Sequence, residues 1–370
     1  MKTLTLFILS LLFFSQLSYA DNHSHQYAVS TYAEGLVHPW GLTFLPDGRL
    51  LVTEKDGRLR IIDKEGQVSE PVANLMAVKN SGQGGLLDVA LDPDFTNNHT
   101  LYLSYSKPED DGSSRTAVAK AQLKSNKLEN LTTIWQQAQT EKRGFHYGSR
   151  LVFDRDGYLF VTLGDRALRK EDAQNLNTHF GKIVRIDTHG KPAPGNPFLN
   201  NKNALPDIWS YGHRNVQGAF LHPKTGQLWA NEHGPKGGDE INKVHAGKNY
   251  GWPVITYGIN YNGTPITDKT AIDGMEQPIH YWDPSIATSG MLIYTGKAFP
   301  EWQGDIFTGA LALQHLNRIT LDENLKVTNE ERMLKDLNER IRAFTQGPDG
   351  HIYVLTDSPK AKVLKISPKS

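Results

Sequence analysis

The stretch Phe153-Asp-Arg-Asp-Gly-Tyr-Leu-Phe-Val-Thr162 joins a polar turn to a short apolar strand. Glycine in the turn can adopt a positive φ, and the residues after it alternate with the period of two that a β-strand requires. Variants of this unit recur at 45–53, 91–105, 221–230, 299–309 and 347–356. The sequence therefore predicts a repetitive antiparallel β-fold.

A six-bladed β-propeller accounts best for this repetition. Small antiparallel sheets around a central axis leave only short edges exposed, and six blades of four strands fit the chain length. We predict an all-β fold with one short helical stretch near 170–177, and a strand at 27–34 that pairs with the last blade and closes the ring. A pair of β-sandwiches is the alternative, but sandwiches do not repeat a turn and a strand at such intervals.

Composition narrows the class of protein. The 370 residues include 40 basic and 40 acidic side chains, so the formal net charge is zero, and there is no block of like charge. This argues against a nucleic-acid partner and against binding to a charged membrane surface. Cysteine is absent, which excludes disulfides, thiolate metal sites and cysteine nucleophiles.

Residues 1–20 have the pattern of a secretory signal peptide. Lys2 precedes an apolar run too short to span a bilayer, and Ser18-Tyr-Ala20 forms a small-x-small cleavage site. We expect residues 21–370 to form the propeller, secreted to the periplasm without membrane insertion. A retained N-terminal anchor is the alternative.

The segment 231–252 is unusually polar for a hairpin turn. Its first part, 231–242, places three acidic side chains, a histidine and a Gly-Pro step between two strand-like runs. Glycine lets backbone carbonyls approach a ligand, and carbonyls combined with carboxylates are the ligands that calcium prefers. The segment therefore indicates a calcium site, with a polar surface loop as the alternative.

A histidine and an aspartate flank the third repeat unit. His146 lies in the loop that enters this unit, and Asp165 follows its strand. A carboxylate beside an imidazole fixes the tautomer of a general base. We therefore predict that Asp165 orients His146 as a base, although the chain has 14 histidines and most histidines are surface or structural residues.

Cationic and amide side chains occur in the other loops between repeats. Arg340 and Arg342 are two residues apart, hence on one face of a strand, where they repel each other unless an anion binds between them. Arg214, beside Asn215, is a planar donor suited to carboxylates, and Gln83 lies in a glycine-rich turn. Together these loops favour an anionic, planar, metal-chelating cofactor.

These segments resemble the soluble quinoprotein aldose sugar dehydrogenases, relatives of soluble glucose dehydrogenase that use pyrroloquinoline quinone (PQQ). The resemblance covers nearly the whole mature chain, and the matching segments occur in the family's order. They are 82–87, 146–153, 163–165, 211–215, 231–252 and 340–342. The resemblance implies a six-bladed propeller, in agreement with the repeats, and oxidation of aldoses at C1 to lactones.

The resemblance also implies roles for the candidate residues. His146 takes the proton of the anomeric hydroxyl while a hydride passes from C1 of the sugar to C5 of the quinone, and Asp165 orients His146. The implied cofactor contacts are Gln83, Arg214, Asn215, Arg340 and Arg342.

Two calcium ions are implied as well. The carbonyls of Gly234 and Pro235 would hold one that bridges protein and cofactor and polarises the quinone as a Lewis acid. Glu240 and Tyr250 would surround a structural one. His233 and Asp239 are then not expected to be ligands.

The sequence departs from the family at one cofactor contact. Where the glucose dehydrogenases carry a cofactor-binding lysine, the stretch 309–314 has none, and Ala312 aligns best. A cation near the quinone is thereby lost. The loop after Asp165 differs too, which leaves Gln174 as a guess for a further contact.

We therefore expect a PQQ- and calcium-dependent aldose dehydrogenase. The electron acceptor, and the choice between monomer and homodimer, stay open. One alternative is a calcium-dependent, lactonase-like hydrolase on a six-bladed propeller, which would need no arginine cluster. The other is a non-catalytic extracellular binding propeller, which would tolerate the loss of His146 and Asp165.

Overall fold

Short β-strands make up nearly all the regular structure. The computed structural model describes residues 27–369, so the signal peptide predicted for 1–20 lies outside the described residues. The strands are β1 (Tyr27–Leu36), β2 (Pro39–Phe44), β3 (Leu50–Glu54), β4 (Arg58–Ile62), β5 (Leu86–Leu91), β6 (Thr100–Pro108), β7 (Ser114–Lys124), β8 (Lys127–Gln136), β9 (Leu151–Phe153), β10 (Leu159–Thr162), β11 (Lys182–Ile186), β12 (Ile208–Tyr211), β13 (Val216–Leu221), β14 (Leu228–Glu232), β15 (Asp239–Lys243), β16 (His280–Trp282), β17 (Thr288–Ile293), β18 (Ile306–Ala310), β19 (His315–Leu321), β20 (Val327–Met333), β21 (Ile341–Gln346), β22 (Ile352–Thr356) and β23 (Ala361–Pro368).

Helices are few and short. They are α1 (Phe95–Asn98) and the 3₁₀ helices Lys170–Gln174, Pro300–Trp302 and Lys335–Leu337. The second of these four falls where the sequence predicted a short helical stretch. Across residues 27–369, no helix is both long and apolar enough to cross a membrane.

The strands form six antiparallel sheets, each of them one blade of a propeller. Their orders are β2-β3-β4, β5-β6-β7-β8, β9-β10-β11-β12, β13-β14-β15-β16, β17-β18-β19-β20 and β21-β22-β23-β1. The first strand of each order contacts the first strand of the next sheet, and β21 contacts β2, which completes a ring around a central channel. The predicted six-bladed propeller is confirmed.

The first blade has three regular strands and an irregular fourth. The N–H groups of Ser69 and Val72 each donate a 2.8 Å hydrogen bond to β4, at the carbonyls of Ile61 and Leu59. Pro71 stands between these donors and has no N–H of its own, so a regular ladder cannot form there. The first blade therefore has a fourth segment in the position of a strand, but this segment is not a regular strand.

The N-terminal strand closes the ring. β1 pairs antiparallel with β23, with Ala28 opposite Ser367 and Leu36 opposite Ala361. The last blade thus contains both ends of the described chain, as predicted from the segment 27–34. Side chains of this joint pack in two of six apolar clusters, each of which lies between two neighbouring blades.

The repeat units fix which end of the channel can carry a site. Each unit forms the hairpin between the first and second strands of a blade, for example β9 and β10, whose turn contains Gly157 with φ 81°. These hairpins all lie at one end of the channel. The loops that enter the first strands and those that leave the second strands therefore lie together at the other end, which we call the mouth.

Candidate active site

His146 and Asp165 meet at the mouth. His146 lies in the loop that enters β9, and Asp165 in the loop that leaves β10, so the geometry of one blade brings them together. His146 Nδ1 lies 2.6 Å from Asp165 Oδ1. Asp165 is 1% exposed, and its oxygens also accept hydrogen bonds from the Ala167 N–H at 2.7 Å and the Trp252 indole at 2.8 Å.

The charge of Asp165 sets the tautomer of His146. Burial acts to raise the pKa of Asp165, but the hydrogen bond and charge of His146 outweigh it, and the pKa is lowered. The ionised carboxylate can only accept, so Nδ1 of His146 carries the proton and Nε2 keeps a lone pair. Burial lowers the pKa of His146 although Asp165 acts to raise it, so the imidazole is neutral at neutral pH.

Two of the predicted cofactor contacts hold the histidine loop. Gln83 Oε1 accepts a 2.8 Å hydrogen bond from the backbone N–H of His146. Asn215 is 1% exposed, and its Oδ1 accepts a 3.0 Å hydrogen bond from the Gly148 N–H. In each amide the carbonyl oxygen already accepts a hydrogen bond from the protein, and the NH2 group remains as a donor for a ligand.

Arg166, which was not predicted from the sequence, holds the same loop in place. Its guanidinium is fully buried and donates to the carbonyls of Arg143 at 2.6 Å, Phe145 at 2.9 Å and Ser114 at 3.0 Å. It also lies 3.9 Å from the centre of the Tyr147 ring. Because Arg166 follows Asp165 directly, two successive residues fix the imidazole and the backbone beside it.

The arginine pair of β21 converges on one carboxylate. Arg342 Nη2 lies 2.5 Å from Asp357 Oδ2, and Arg340 Nη2 lies 3.7 Å from the same atom. The Nε of Arg342 is buried and has no hydrogen-bond partner among residues 27–369. Two guanidinium groups thus share one carboxylate, and one of them keeps an unused buried donor.

His233 joins this cluster through Gln217. Gln217 Oε1 accepts from Arg342 Nη1 at 3.0 Å and lies 2.9 Å from His233 Nε2. Since arginine can only donate, this amide atom is an acceptor, and His233 Nε2 must carry a proton. Burial, and then the charge of Arg214, lower the pKa of His233 well below its usual value. His233 is therefore neutral among cations.

Arg214 occupies one of the carbonyls predicted to hold calcium. Its Nη1 donates to the Gly234 carbonyl at 2.6 Å and to the His233 carbonyl at 3.1 Å. Among residues 27–369, the Pro235 carbonyl accepts only a long, 3.4 Å contact from the Ser285 hydroxyl. A cation could bind the Gly234 carbonyl only in place of this guanidinium, so the described arrangement does not fit the bridging calcium.

The second predicted calcium position fits a cation better. Glu232 and Glu240 stand opposite each other on β14 and β15, and Asn242 Nδ2 donates to both carboxylates, at 3.2 and 3.0 Å. The Asn242 Oδ1 is buried without a donor among the described residues. The Tyr250 hydroxyl, in contrast, accepts from one backbone group and donates to another, so only the backbone of Tyr250 could serve a metal.

Other polar residues of this region serve structure. Asp239 is fully buried and accepts four hydrogen bonds, which include those from the Gly234 N–H at 2.8 Å and the Ala287 N–H at 2.7 Å. Within residues 27–369, no three histidine, aspartate or glutamate side chains are grouped so that they could hold a metal. Any calcium here would therefore need carbonyl or amide oxygens in addition to carboxylates.

The two remaining predicted cofactor contacts, Ala312 and Gln174, lie in different surroundings. Ala312 is exposed at the mouth, next to Leu311, whose carbonyl accepts a 2.9 Å hydrogen bond from Arg340. Gln174 instead donates to the Trp252 carbonyl at 2.7 Å and exchanges hydrogen bonds with the Asn249 amide. Its amide is engaged with protein, so it supports Trp252.

A signal for Asp357 was present in the sequence. Asp357 directly follows Thr356 at the end of the sixth repeat unit, and Asp165 lies three residues after the end of the third. Lys55 lies two residues after the end of the first unit. Aligning the repeats would have assigned all three side chains to the mouth, whereas nothing local points to Trp252 or Arg166.

Fold and site together define a six-bladed propeller with a histidine–carboxylate pair beside a cationic cluster. Sequence comparison matches residues 36–365 to the family described as Glucose / Sorbosone dehydrogenase. The chain belongs to this family, which confirms the resemblance and makes it an enzyme.

Individual relatives agree. Aldose sugar dehydrogenase YliI of Escherichia coli is 43% identical over 347 residues, 92% of this chain and 93% of the relative. The apo-form crystal structure of the soluble aldose sugar dehydrogenase from Escherichia coli has a TM-score of 0.89 at 42% identity, covering 93% of this chain and 100% of that one. The PQQ-bound aldose sugar dehydrogenase of Streptomyces coelicolor has a TM-score of 0.76 at 26% identity, covering 92% and 98%.

Proposed function

We propose that this protein oxidises aldose sugars at C1 to lactones, with PQQ as hydride acceptor and His146 as general base. The observation that carries the proposal is the buried His146–Asp165 pair, 2.6 Å apart, at the mouth of a channel that also holds the arginine pair of β21. The relatives named above include an aldose sugar dehydrogenase with bound PQQ.

The proton transfer is assigned to Nε2 of His146. Because Nδ1–H donates to Asp165, Nε2 holds the lone pair that can take the proton of the anomeric hydroxyl. The carboxylate then stabilises the imidazolium that forms. PQQ, when bound, accepts the hydride that leaves C1, so the sugar loses one hydride and one proton and becomes a lactone.

The cationic cluster supports an anionic cofactor. Arg340, Arg342 and Arg214 could donate to carboxylates, for which the planar guanidinium is well suited. The unpartnered, buried Nε of Arg342 supports an acceptor at this position, because buried donors are nearly always paired. A hydrolase that opens lactones would not require this excess of cations.

We propose calcium as the second cofactor. The opposed carboxylates of Glu232 and Glu240 would be stabilised by a cation between or beside them, with the Asn242 carbonyl as a neutral donor. At Gly234 and Pro235, a Lewis-acid calcium remains a proposal that requires Arg214 to release the Gly234 carbonyl.

Export to the periplasm is proposed from the signal-like residues 1–20. The enzyme would then oxidise aldoses outside the cytoplasm. Electrons would pass from the reduced quinone to a separate electron acceptor. Monomer and homodimer remain alternatives.

Reconstitution tests the proposed function. Purified protein with PQQ and calcium should reduce an artificial electron acceptor when an aldose is added, and should show the visible absorption of bound quinone. No acceptor reduction with any of a panel of aldoses would overturn the proposal. Lactone hydrolysis without quinone absorption would instead identify the hydrolase, and binding without turnover the non-catalytic propeller.

A further inference from the structure

Lys55 completes a cluster of three cations at the mouth. It lies in the loop that leaves β3, and its Nζ donates a 2.7 Å hydrogen bond to the Gly82 carbonyl, one residue before Gln83. Its backbone N–H donates to the His38 carbonyl at 3.1 Å. Lys55 is thus placed between the loop that holds the catalytic base and the loops of the last blade.

The last blade brings the arginine pair to the same place. His38 Nδ1 lies 3.1 Å from Asp357 Oδ1, whose other oxygen contacts Arg342 and Arg340. Burial lowers the pKa of Lys55, and the positive charge of Arg342 lowers it further, while Asp357 acts in the opposite direction. The three cations and the carboxylate therefore form one electrostatic unit.

The charges of this unit do not balance. Lys55, Arg340 and Arg342 carry three positive charges, and the carboxylate of Asp357, which pairs with the two arginines, compensates only one of them. The adjacent Glu54 cannot neutralise the remaining positive charges, because it already pairs with Arg58 at 2.7 Å and with Arg60. Like charges held together in a partly buried site are costly unless an anion binds there.

We propose that Lys55, together with Arg340 and Arg342, binds a ligand that carries at least two carboxylates, and that Lys55 supplies the cation that Ala312 lacks. This inference rests on the proposed function, in which the polycarboxylate is PQQ. Lys55 enters from the first blade and Ala312 from the fifth, on the other side of the arginine pair. A cation can therefore act on the same ligand from a different direction.

The backbone of Lys55 is suited to a fixed contact. Its carbonyl accepts a 3.0 Å hydrogen bond from the Leu86 N–H, in addition to the bond that its own N–H donates to His38. Both peptide groups are thus held, and only the side chain has to order when a ligand binds. Its Nζ retains two further N–H donors beyond the one used on the Gly82 carbonyl.

Titration of the apo-protein with PQQ in the presence of calcium, followed by fluorescence quenching, tests the inference without turnover. Lys55→Gln should weaken binding about tenfold and reduce the dependence of the dissociation constant on salt, because one charge-assisted contact is lost. Lys55→Arg should bind as the unaltered protein does. Lys64→Gln is the matched control, since Lys64 is exposed at the opposite end of the same blade and should leave binding unchanged.

A second substitution tests whether a cation at position 312 can replace the cation of Lys55. Ala312→Lys introduced into the Lys55→Gln protein should restore most of the lost affinity. Circular dichroism and thermal unfolding establish that each variant is folded. Binding by Lys55→Gln equal to that of the unaltered protein overturns this inference and leaves the proposed function standing. An unaltered protein that binds no PQQ overturns both.

Discussion

The indole Nε1–H of Trp252 donates a 2.8 Å hydrogen bond to Oδ2 of Asp165, across 87 positions of sequence. Trp252 ends the polar segment 231–252, while Asp165 belongs to the preceding blade. Gln174 holds the Trp252 carbonyl at 2.7 Å from the 3₁₀ helix of that blade. The segment that first suggested a metal site therefore also fixes the carboxylate that contacts His146.

Removing this donor should slow catalysis more than it affects folding. In Trp252→Phe, Asp165 Oδ2 loses its buried donor, and the carboxylate is free to shift away from His146. A lost hydrogen bond to a charged group costs about 1.5–3 kcal/mol, so we expect kcat to fall about tenfold or more, with a smaller change in KM. Steady-state kinetics of the reconstituted enzyme measures this.

Trp209→Phe is the matched control. The Trp209 indole N–H is buried and has no hydrogen-bond partner among the described residues, so the same exchange removes ring volume there without removing a hydrogen bond. Its kcat should stay within about twofold of the unaltered enzyme. Equal losses in both variants would show that packing, and not the contact with Asp165, is responsible.

Substitution of the base itself separates binding from turnover. His146→Ala should bind PQQ nearly as the unaltered protein does, because the arginine cluster is untouched. Turnover should fall at least about a hundredfold, the usual contribution of a general base. A kcat equal to that of the unaltered enzyme would remove His146 from the mechanism.

The pH dependence should report on Asp165. The base acts when neutral, so kcat/KM should rise with pH through the pKa of His146, which burial places below its usual value. Asp165→Asn removes a charge that raises this pKa. The acidic limb should therefore move to lower pH while the plateau falls. An acidic limb that does not move would belong to another group.

Much of the fold could be predicted because the repeat is local. A turn with glycine followed by a strand of alternating residues is encoded within about ten residues, and the number of repeats gives the number of blades. Partners such as Asp165 and Trp252 depend on how blades meet around the ring, which no local pattern encodes. For the same reason Gln83 and Asn215 could be placed at the mouth, but not oriented toward the histidine loop.

Calcium should stabilise the fold through Glu240. Burial and the charge of Glu232 raise the pKa of Glu240 to about 8, which shows how poorly two carboxylates are accommodated there without a cation. Glu240→Gln should raise the melting temperature in chelator at neutral pH, because a neutral amide avoids the cost of keeping this buried carboxyl group protonated. It should also lose most of the increase that calcium gives the unaltered protein.

Thermal unfolding with chelator and with calcium measures both effects. Glu65→Gln, on an exposed turn, should change neither melting temperature. If Glu240→Gln keeps the full calcium increment, the ion binds elsewhere.

Acid stability should depend on Glu330, which links two blades. On β20, it accepts hydrogen bonds from the Trp282 indole at 2.9 Å and the Asn317 amide at 3.0 Å, and it lies 3.4 Å from His280 Nε2. Burial acts to raise the pKa of Glu330, but His280 and these donors outweigh it and lower the pKa to about 2. The folded state therefore favours the ionised carboxylate.

The direction in which pH changes the stability follows from the lowered pKa of Glu330. Because the folded pKa lies below the usual value, the stabilisation is complete above about pH 4.5 and disappears as the pH falls toward 2. Glu330→Gln should lower the free energy of unfolding by about 1 kcal/mol at pH 7, less than the full shift because solvent reaches the side chain. Urea unfolding at several pH values should show this difference shrinking below pH 4.5. Glu323→Gln, exposed at the turn before β20, should leave it near zero throughout. A deficit as large at pH 3 as at pH 7 would mean that the shape of the side chain, and not its charge, joins the two blades.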